Sequence, residues 1–300
     1  MTSQVSSVPA ERPASRAVLF VLFLMGGLAI FLFGNNWNDR FPTNDSTLYK
    51  ASLPVIFLAL AVVLRRSEHL RKYWRIAFAL FVAAFANWLN WTLGNWLRLW
   101  LPAVSSTVAA LTIDKLSQCA PVVLSIIVLT QLAGDDLGSI FLKKGDLKEG
   151  LRFGLISFGI FAAIFAVIAV LQANAPASQG LTASGVSLNV IVSGLPWILV
   201  WAFANSLLEE LWFRGIFLKK LNPFLGATAT VVVTSLVFSI PHAGATYISP
   251  LEMIIFPIIV FGLGLVNARV MLKTDSIIGS LLFHAGYDLL VIIPVIVSAQ

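Results

Sequence analysis

Two adjacent glutamates followed by an arginine are the strongest indication of chemistry in this chain. The sequence EELWFR at 209–214 ends an apolar run. On a regular α-helix Glu210 and Arg214 are four residues apart and share a face, with the glutamate first, which is the more favourable order. Glu209 lies about 140° from Arg214, since each residue advances about 100°. The spacing therefore predicts that Arg214 pairs with Glu210 and that Glu209 is the carboxylate available as a general base.

Two of the three histidines occur in apolar runs and supply further groups for proton transfer. His242 ends the sequence FSIPH, where Pro241 removes a backbone donor and is expected to bend the helix. His284 and Asp288, in the sequence HAGYD, are four residues apart and share a helical face. Ionisable groups within membrane spans are costly and are usually functional. The alternatives are an interfacial position for His242 and a mutually satisfied structural pair for His284 and Asp288.

The relative depth of these groups is open at this point. Glu209 lies about ten residues before Lys219–Lys220, which is roughly 15 Å of helix. His284 lies only seven residues after Ile277, whereas His242 lies about nineteen residues after Pro223. Bringing His242 level with the others requires a tilted or interrupted seventh span, or a turn near Asn222–Pro223.

Composition places these residues in a membrane. The chain has 300 residues, of which 58% are hydrophobic and 11% charged, and its mean hydropathy is +0.90. Soluble domains are about 25% charged and could not bury so much apolar surface. The net charge of +6 comes from short loops and not from a basic face with interleaved aromatic residues, so no nucleic-acid partner is expected. A single cysteine, Cys119, excludes an internal disulfide and a cysteine-based zinc site.

Apolar runs about as long as a bilayer-spanning helix recur along the chain. The predicted fold is an all-α, polytopic transmembrane helical bundle with eight or nine spans, because the second run is short. The nine runs are 17–34, 49–64, 76–93, 114–133, 153–171, 190–213, 224–240, 251–268 and 277–297. Three regions follow: a disordered cytoplasmic tail at 1–16, N-terminal transmembrane helices at 17–171, and a catalytic core at 190–297. An uncharged loop at 172–189 separates the last two.

The lysines and arginines favour one orientation. With the N-terminus inside and nine spans, sixteen of the 20 basic residues fall on the inner side. Only Arg40, Lys50, Arg98 and Lys115 fall outside. Such an excess is typical of cytoplasmic segments, so we expect the N-terminus inside and the C-terminus outside.

Three motifs together resemble the CPBP superfamily, which comprises the type II CAAX prenyl endopeptidases and their bacterial Abi relatives. The pattern of that superfamily is E-E-x-x-x-R, then F-x-x-x-H, then H-x-x-x-N or D, on separate transmembrane helices. Here EELWFR, FSIPH and HAGYD occur in that order. The resemblance covers roughly residues 190–297.

The resemblance implies a metal-independent intramembrane glutamic endopeptidase without a cofactor. By motif position, Glu209 and His242 would activate a water molecule that attacks the scissile carbonyl. His284 and Asp288 would form the oxyanion hole. The residues that would support the site are Glu210, Arg214 and Phe238. Many members have asparagine where this chain has Asp288; an aspartate donates a hydrogen bond only when protonated, so Asp288 would either be neutral or orient His284.

Three other readings remain open on sequence alone. A zinc protease could use Glu209, His242 and His284 as a His₂Glu ligand set, although no H-E-x-x-H is present. A non-proteolytic membrane scaffold or bacteriocin self-immunity protein would need no catalysis. A proton-coupled transporter would also place acids and histidines within its spans.

The expected partners are the lipid bilayer and a peptide or membrane-protein substrate. Since Glu209 and His284 lie nearest the predicted inner side, we expect cleavage in the cytoplasmic half of the membrane. The expected location is the cytoplasmic membrane of a bacterium.

Overall fold

The computed structural model of the chain describes residues 12–34, 46–101, 106–173, 188–243 and 251–298. Throughout this part the regular structure is helical, which confirms the all-α prediction. The helices are α1 (Pro13–Phe31), α2 (Ser46–Arg66), α3 (Trp74–Leu93), α4 (Trp96–Trp100), α5 (Thr107–Leu132), α6 (Leu147–Ala173), α7 (Leu188–Glu210), α8 (Leu218–Leu225), α9 (Ala227–His242), α10 (Glu252–Thr274) and α11 (Ile278–Ser298). Two 3₁₀ turns, Arg71–Tyr73 and Leu137–Ile140, and a π-helical turn, Leu211–Gly215, complete them.

These helices make the chain a polytopic integral membrane protein. In the part that the structure describes, seven helical segments are long and apolar enough to cross a bilayer. Two more apolar helices, Ala227–His242 and Ile278–Ile293, are shorter. Each of the nine predicted runs therefore corresponds to a helix. The second is not short: α2 has 21 residues, because the helix continues through polar residues at both ends of its apolar run.

Several helices begin before their apolar runs do. α1 begins at Pro13, so 13–16 are helical and not part of a disordered tail; proline suits a first helical position because its φ is already fixed. Residues 1–11 of the predicted tail lie outside the described residues, as do 174–187 of the predicted loop. Lys50 and Lys115, expected in external loops, lie inside α2 and α5.

The chain forms two compact units. The first contains residues 1–88 and 213–272, and the second contains residues 89–212 and 273–300. In the first unit α1 packs closely on α9, since a methyl group at Gly27 would lie 2.5 Å from Val237 Cγ2. The rings of Phe23 and Phe217 meet edge to face with centroids 4.9 Å apart.

The start of α9 differs from expectation. The turn expected near Asn222–Pro223 is instead the interior of the short helix α8. The chain turns at Gly226, whose φ of 77° favours glycine. The seventh apolar helix thus begins at Ala227 and not at 224, and the short helix α8 precedes it.

In the second unit α11 lies against α6 through glycines. A methyl group at Gly154 of α6 would lie 2.7 Å from Leu282 Cβ, and one at Gly286 of α11 would lie 3.0 Å from Phe158 Cα. Small residues allow membrane helices to approach closely. This glycine seam fixes the helix that carries His284.

The first turn of α11 is also held by the loop between α5 and α6. Ile277 N–H donates to the Phe141 carbonyl at 3.1 Å, and Ser276 Oγ donates to the Lys143 carbonyl at 2.8 Å. Gly145 of this loop has φ 51°, and a Cβ there would overlap the Thr274 carbonyl oxygen. The loop therefore sets where α11 begins.

Candidate active site

The two glutamates lie where α7 changes its helical form. α7 ends at Glu210, and Leu211–Gly215 form a single π-helical turn. The angle of about 140° between Glu209 and Arg214 assumed an uninterrupted α-helix, so it does not apply here. Wide turns of this kind occur often at functional sites. Pairing between Glu210 and Arg214 stays a prediction.

Glu210 is fully buried and binds two side chains of α11. Its Oε1 lies 2.7 Å from His284 Nδ1, and its Oε2 accepts a hydrogen bond from Ser280 Oγ at 2.5 Å. A carboxylate only accepts hydrogen bonds, so Nδ1 carries the hydrogen and donates it. Glu210 therefore fixes the orientation of the imidazole.

The opposite edge of the same imidazole faces two other carboxylates. His284 Nε2 lies 3.5 Å from Glu209 Oε2 and 3.6 Å from Asp288 Oδ1. The structure thus places His284 and Asp288 on one helical face, as their spacing predicts. The distance is too long for a direct hydrogen bond but lies within ion-pair range, so the structural pair stays an alternative.

Glu209 is the most accessible member of this group. Its side chain is 16% exposed, against 2% for His284 and 4% for Asp288. Glu209 therefore combines partial exposure with a position beside a buried imidazole. A general base needs both properties.

Asn205 and Ser280 belong to the site although the motifs do not contain them. Asn205 Nδ2 donates to Asp288 Oδ2 at 3.0 Å, and both side chains are buried. Asn205 precedes Glu209 by four residues, and Ser280 precedes His284 by four. That one-turn spacing is a signal that the sequence offered, since residues four apart share a helix face.

The contacts define a register between two antiparallel helices. A step of one turn along α7, from Asn205 to Glu209, matches a step of one turn back along α11, from Asp288 to His284. One turn further from the glutamates, Trp201 and Ile292 belong to a buried apolar cluster. The Asn205–Asp288 and Glu209–His284 contacts therefore adjoin a buried apolar region. Hydrogen bonds and ion pairs are stronger in such surroundings.

The other predicted residues, Arg214, Phe238 and His242, lie in the first unit. Arg214 is buried, and its guanidinium carbon lies 3.7 Å from the centroid of the Phe238 ring. The Phe238 and His242 rings meet edge to face with centroids 4.6 Å apart. The Phe238 ring thus contacts both the Arg214 guanidinium and the His242 imidazole.

His242 is the last residue of α9, one residue after Pro241. Its Nδ1 lies 2.7 Å from the Phe238 carbonyl oxygen. The carbonyl can only accept, so Nδ1 carries the hydrogen. In a neutral ring the lone pair is then on Nε2, which is the atom able to take a proton.

Among the described residues, no group of three or more histidine, cysteine, aspartate or glutamate side chains is arranged to hold a metal ion. In both histidines Nδ1 is engaged, by a carboxylate in His284 and by a carbonyl in His242. The zinc alternative is therefore left to experiment.

Part of the chain matches a known protein family. Residues 191–290 match the family model described as Rce1-like, type II CAAX prenyl endopeptidase Rce1-like. The match supports membership of the CPBP superfamily, in agreement with the three motifs, all of which it includes. More particularly, it is the Rce1-like family that this part of the chain matches, and that family indicates a protease. No curated protein and no solved structure matches the chain significantly.

Proposed function

We propose that the protein is a CAAX-protease-like intramembrane endopeptidase that hydrolyses a peptide bond with a water molecule activated by Glu209 and His242. The observation that carries the proposal is the position of Glu209. It is the partly exposed carboxylate in a buried cluster, 3.5 Å from an imidazole that Glu210 holds in place. The family match supports the same reaction class.

In the proposed reaction a proton leaves water for the Glu209 carboxylate as the water oxygen bonds to the scissile carbonyl carbon. The carbonyl π electrons move to oxygen and give a tetrahedral oxyanion. The C–N bond then breaks, and the nitrogen takes the proton held by the enzyme. The products are a carboxylic acid and an amine, so one water is consumed and no other reactant is needed. General base catalysis of this kind contributes about 10²–10⁴-fold.

His242 is proposed to share the activation of water. Its Nδ1 hydrogen is committed to the Phe238 carbonyl, so Nε2 is its proton acceptor. Its assignment to the same water as Glu209 rests on the resemblance of FSIPH to the second family motif. Arg214 and Phe238 support it, because Phe238 contacts both Arg214 and His242.

His284 and Asp288 are proposed to form the oxyanion side of the site. A donor helps most when it is fixed before the charge develops. The bond from Nδ1 to Glu210 fixes the His284 ring, so in the protonated ring, where both nitrogens carry hydrogen, the Nε2–H would be aimed without reorganisation. Glu210 thereby acts on the reaction through His284 and not on the substrate.

The proposed substrate is a peptide or a membrane-protein segment, cleaved in the cytoplasmic half of a bacterial cytoplasmic membrane by a protein whose N-terminus is inside. The distribution of lysine and arginine supports this orientation. Cysteine labelling from each side of sealed vesicles tests it.

Comparing the N-termini of membrane proteins in cells that carry the wild type, Glu209→Gln or Thr112→Val tests the function. Thr112 is a matched control because its Oγ donates to the Trp197 carbonyl at 3.0 Å, joining α5 to α7 away from the cluster. We expect new N-termini with the wild type and Thr112→Val and none with Glu209→Gln. The same products with Glu209→Gln would contradict proteolysis by this site and favour a scaffold or immunity role.

A further inference from the structure

A buried amide–carboxylate pair stands one helical turn beyond the proposed catalytic groups. Asn205 Nδ2 lies 3.0 Å from Asp288 Oδ2, and each residue is almost completely buried. Asn205 lies outside the three motifs, whereas Asp288 is the position at which this chain departs from the commoner asparagine. The pair therefore concerns the residue whose role the motifs leave undecided.

Asp288 connects Asn205 to the proposed catalytic groups. One oxygen of Asp288 accepts from Asn205, and the other lies 3.6 Å from His284 Nε2. The far edge of that ring donates to Glu210, which also accepts from Ser280. Rotation of the Asp288 carboxylate would break the bond to Asn205 and turn the other oxygen away from His284. The orientation of Asp288 thus depends on Asn205.

We infer that Asn205 is a positioning residue for the proposed reaction: its side-chain amide holds the Asp288 carboxylate so that Oδ1 faces His284 Nε2. This inference rests on the proposed function. Of the two roles open to Asp288, it favours that of an oriented acceptor beside His284, which leaves His284 as the donor to the oxyanion. Asn205 itself touches neither the substrate nor the attacking water.

An amide suits this position because it carries both a donor and an acceptor. With aspartate at 288 the amide donates; with asparagine at 288 it can rotate and accept. Asn205 therefore accommodates either residue of the family pattern. A carboxylate at 205 has no donor, so it pairs only with an amide at 288.

Exchanging the two side chains tests the pairing. Asn205→Asp places two carboxylates against each other, and we expect kcat to fall about 100-fold because small displacements near reacting groups cost that much. Asn205→Asp combined with Asp288→Asn restores one donor and one acceptor. We expect it to recover at least about tenfold of the lost kcat, since contacting residues are coupled, with KM nearly unchanged throughout.

The measurements use purified full-length protein in vesicles and a quenched, prenylated peptide ending in a CAAX sequence. Thr112→Val is the control for loss of a buried hydrogen bond to α7, since Thr112 of α5 donates to the Trp197 carbonyl of α7. It should keep wild-type kcat. A parallel set of thermal unfolding midpoints needs no substrate, and there too the exchange variant should be more stable than Asn205→Asp alone.

Two results overturn the inference. One is an exchange variant no better than Asn205→Asp in kcat or in unfolding midpoint; the other is Asn205→Asp with the kcat of the wild type. Failure of the proposed function would give a different result. The Glu209→Gln variant would then cleave the peptide as fast as the wild type, or the wild type would not cleave it. In that case the unfolding midpoints still decide whether Asn205 holds Asp288.

Discussion

Glu210 Oε1 lies 2.7 Å from Nδ1 of His284, on the edge of the ring opposite the one that faces Glu209. Consecutive helical residues point about 100° apart, so two adjacent glutamates can reach the two edges of one imidazole. The buried Glu210 fixes the ring at Nδ1, and the partly exposed Glu209 faces the opposite edge at Nε2. The same residue type thereby supports two different tasks at neighbouring positions.

These two tasks predict different effects of the same substitution. Glu209→Gln should lower kcat about 10²–10⁴-fold, the usual contribution of a general base, and leave thermal stability nearly unchanged because Glu209 is partly exposed. Glu210→Gln should lower both, since it weakens two buried hydrogen bonds to a charged group, each worth about 1.5–3 kcal/mol. Steady-state kinetics and unfolding midpoints of the purified variants separate the cases. Equal loss of stability in both would contradict the division.

The glycine seam between α6 and α11 should be sensitive to a single methyl group. Gly154→Ala places Cβ 2.7 Å from Leu282 Cβ, and overpacking of this kind costs about 1–3 kcal/mol. Because α11 carries His284, we also expect reduced activity. Gly159→Ala on the same helix is the control, since a Cβ there meets nothing within 4 Å. If both alanines lower the unfolding midpoint equally, close approach is not the reason for glycine at 154.

Much of this arrangement could be predicted from local pattern. Apolar runs predicted the positions of nine apolar helices, seven of which are long enough to cross a bilayer in the part that the structure describes, because a bilayer imposes a minimum length on each span. Spacing by four placed Asp288 on the face of His284, and it would also have found Ser280 and Asn205. Both are uncharged, and an uncharged polar residue in a membrane helix is a weaker indication of function than an ionisable one. Their importance comes from their partners on another helix, which one sequence does not reveal.

The partner of Glu210 shows a second limit. The predicted pairing with Arg214 assumes a regular α-helix, but the chain adopts a π-helical turn at Leu211–Gly215. Such a turn has no clear sequence signature, so the angle could not be anticipated. His284 and Ser280, 70 or more residues away, are the contacts of Glu210 found in the second unit. Long-range packing therefore decided which glutamate is anchored.

Gly145 should resist substitution more strongly than another glycine of the same loop. Both Gly145 and Gly134 have positive φ, 51° and 80°, so alanine at either costs about 1 kcal/mol in backbone strain. At Gly145 the added Cβ would also overlap the Thr274 carbonyl oxygen, whereas at Gly134 it would meet nothing within 4 Å. We expect a larger drop in unfolding midpoint and reduced activity for Gly145→Ala only. Equal effects would mean that contact with the start of α11 is unimportant.

Phe238→Leu tests the aromatic contact beside His242. The substitution removes the ring that lies 3.7 Å from the Arg214 guanidinium carbon, an interaction worth about 2 kcal/mol when desolvated. The His242 ring also loses its edge-to-face neighbour, so we expect kcat to fall about tenfold or more through misplacement. Phe78→Leu is the control, because the Phe78 ring meets Trp74 and Phe81 and no proposed site residue. A larger loss of kcat in the control would remove the special role of Phe238.

Chelation should leave peptide cleavage unchanged if Glu209 receives the proton of the attacking water directly. We expect the rate with ethylenediaminetetraacetate or phenanthroline to stay within about twofold of the untreated rate, since a general base needs no Lewis acid. A catalytic zinc would instead require open coordination by Glu209, His242 and His284, and its removal would stop the reaction. Dialysis against chelator, followed by addition of zinc, distinguishes the two mechanisms. Loss of cleavage on chelation and its return with zinc would replace the glutamic mechanism with a metal-dependent one.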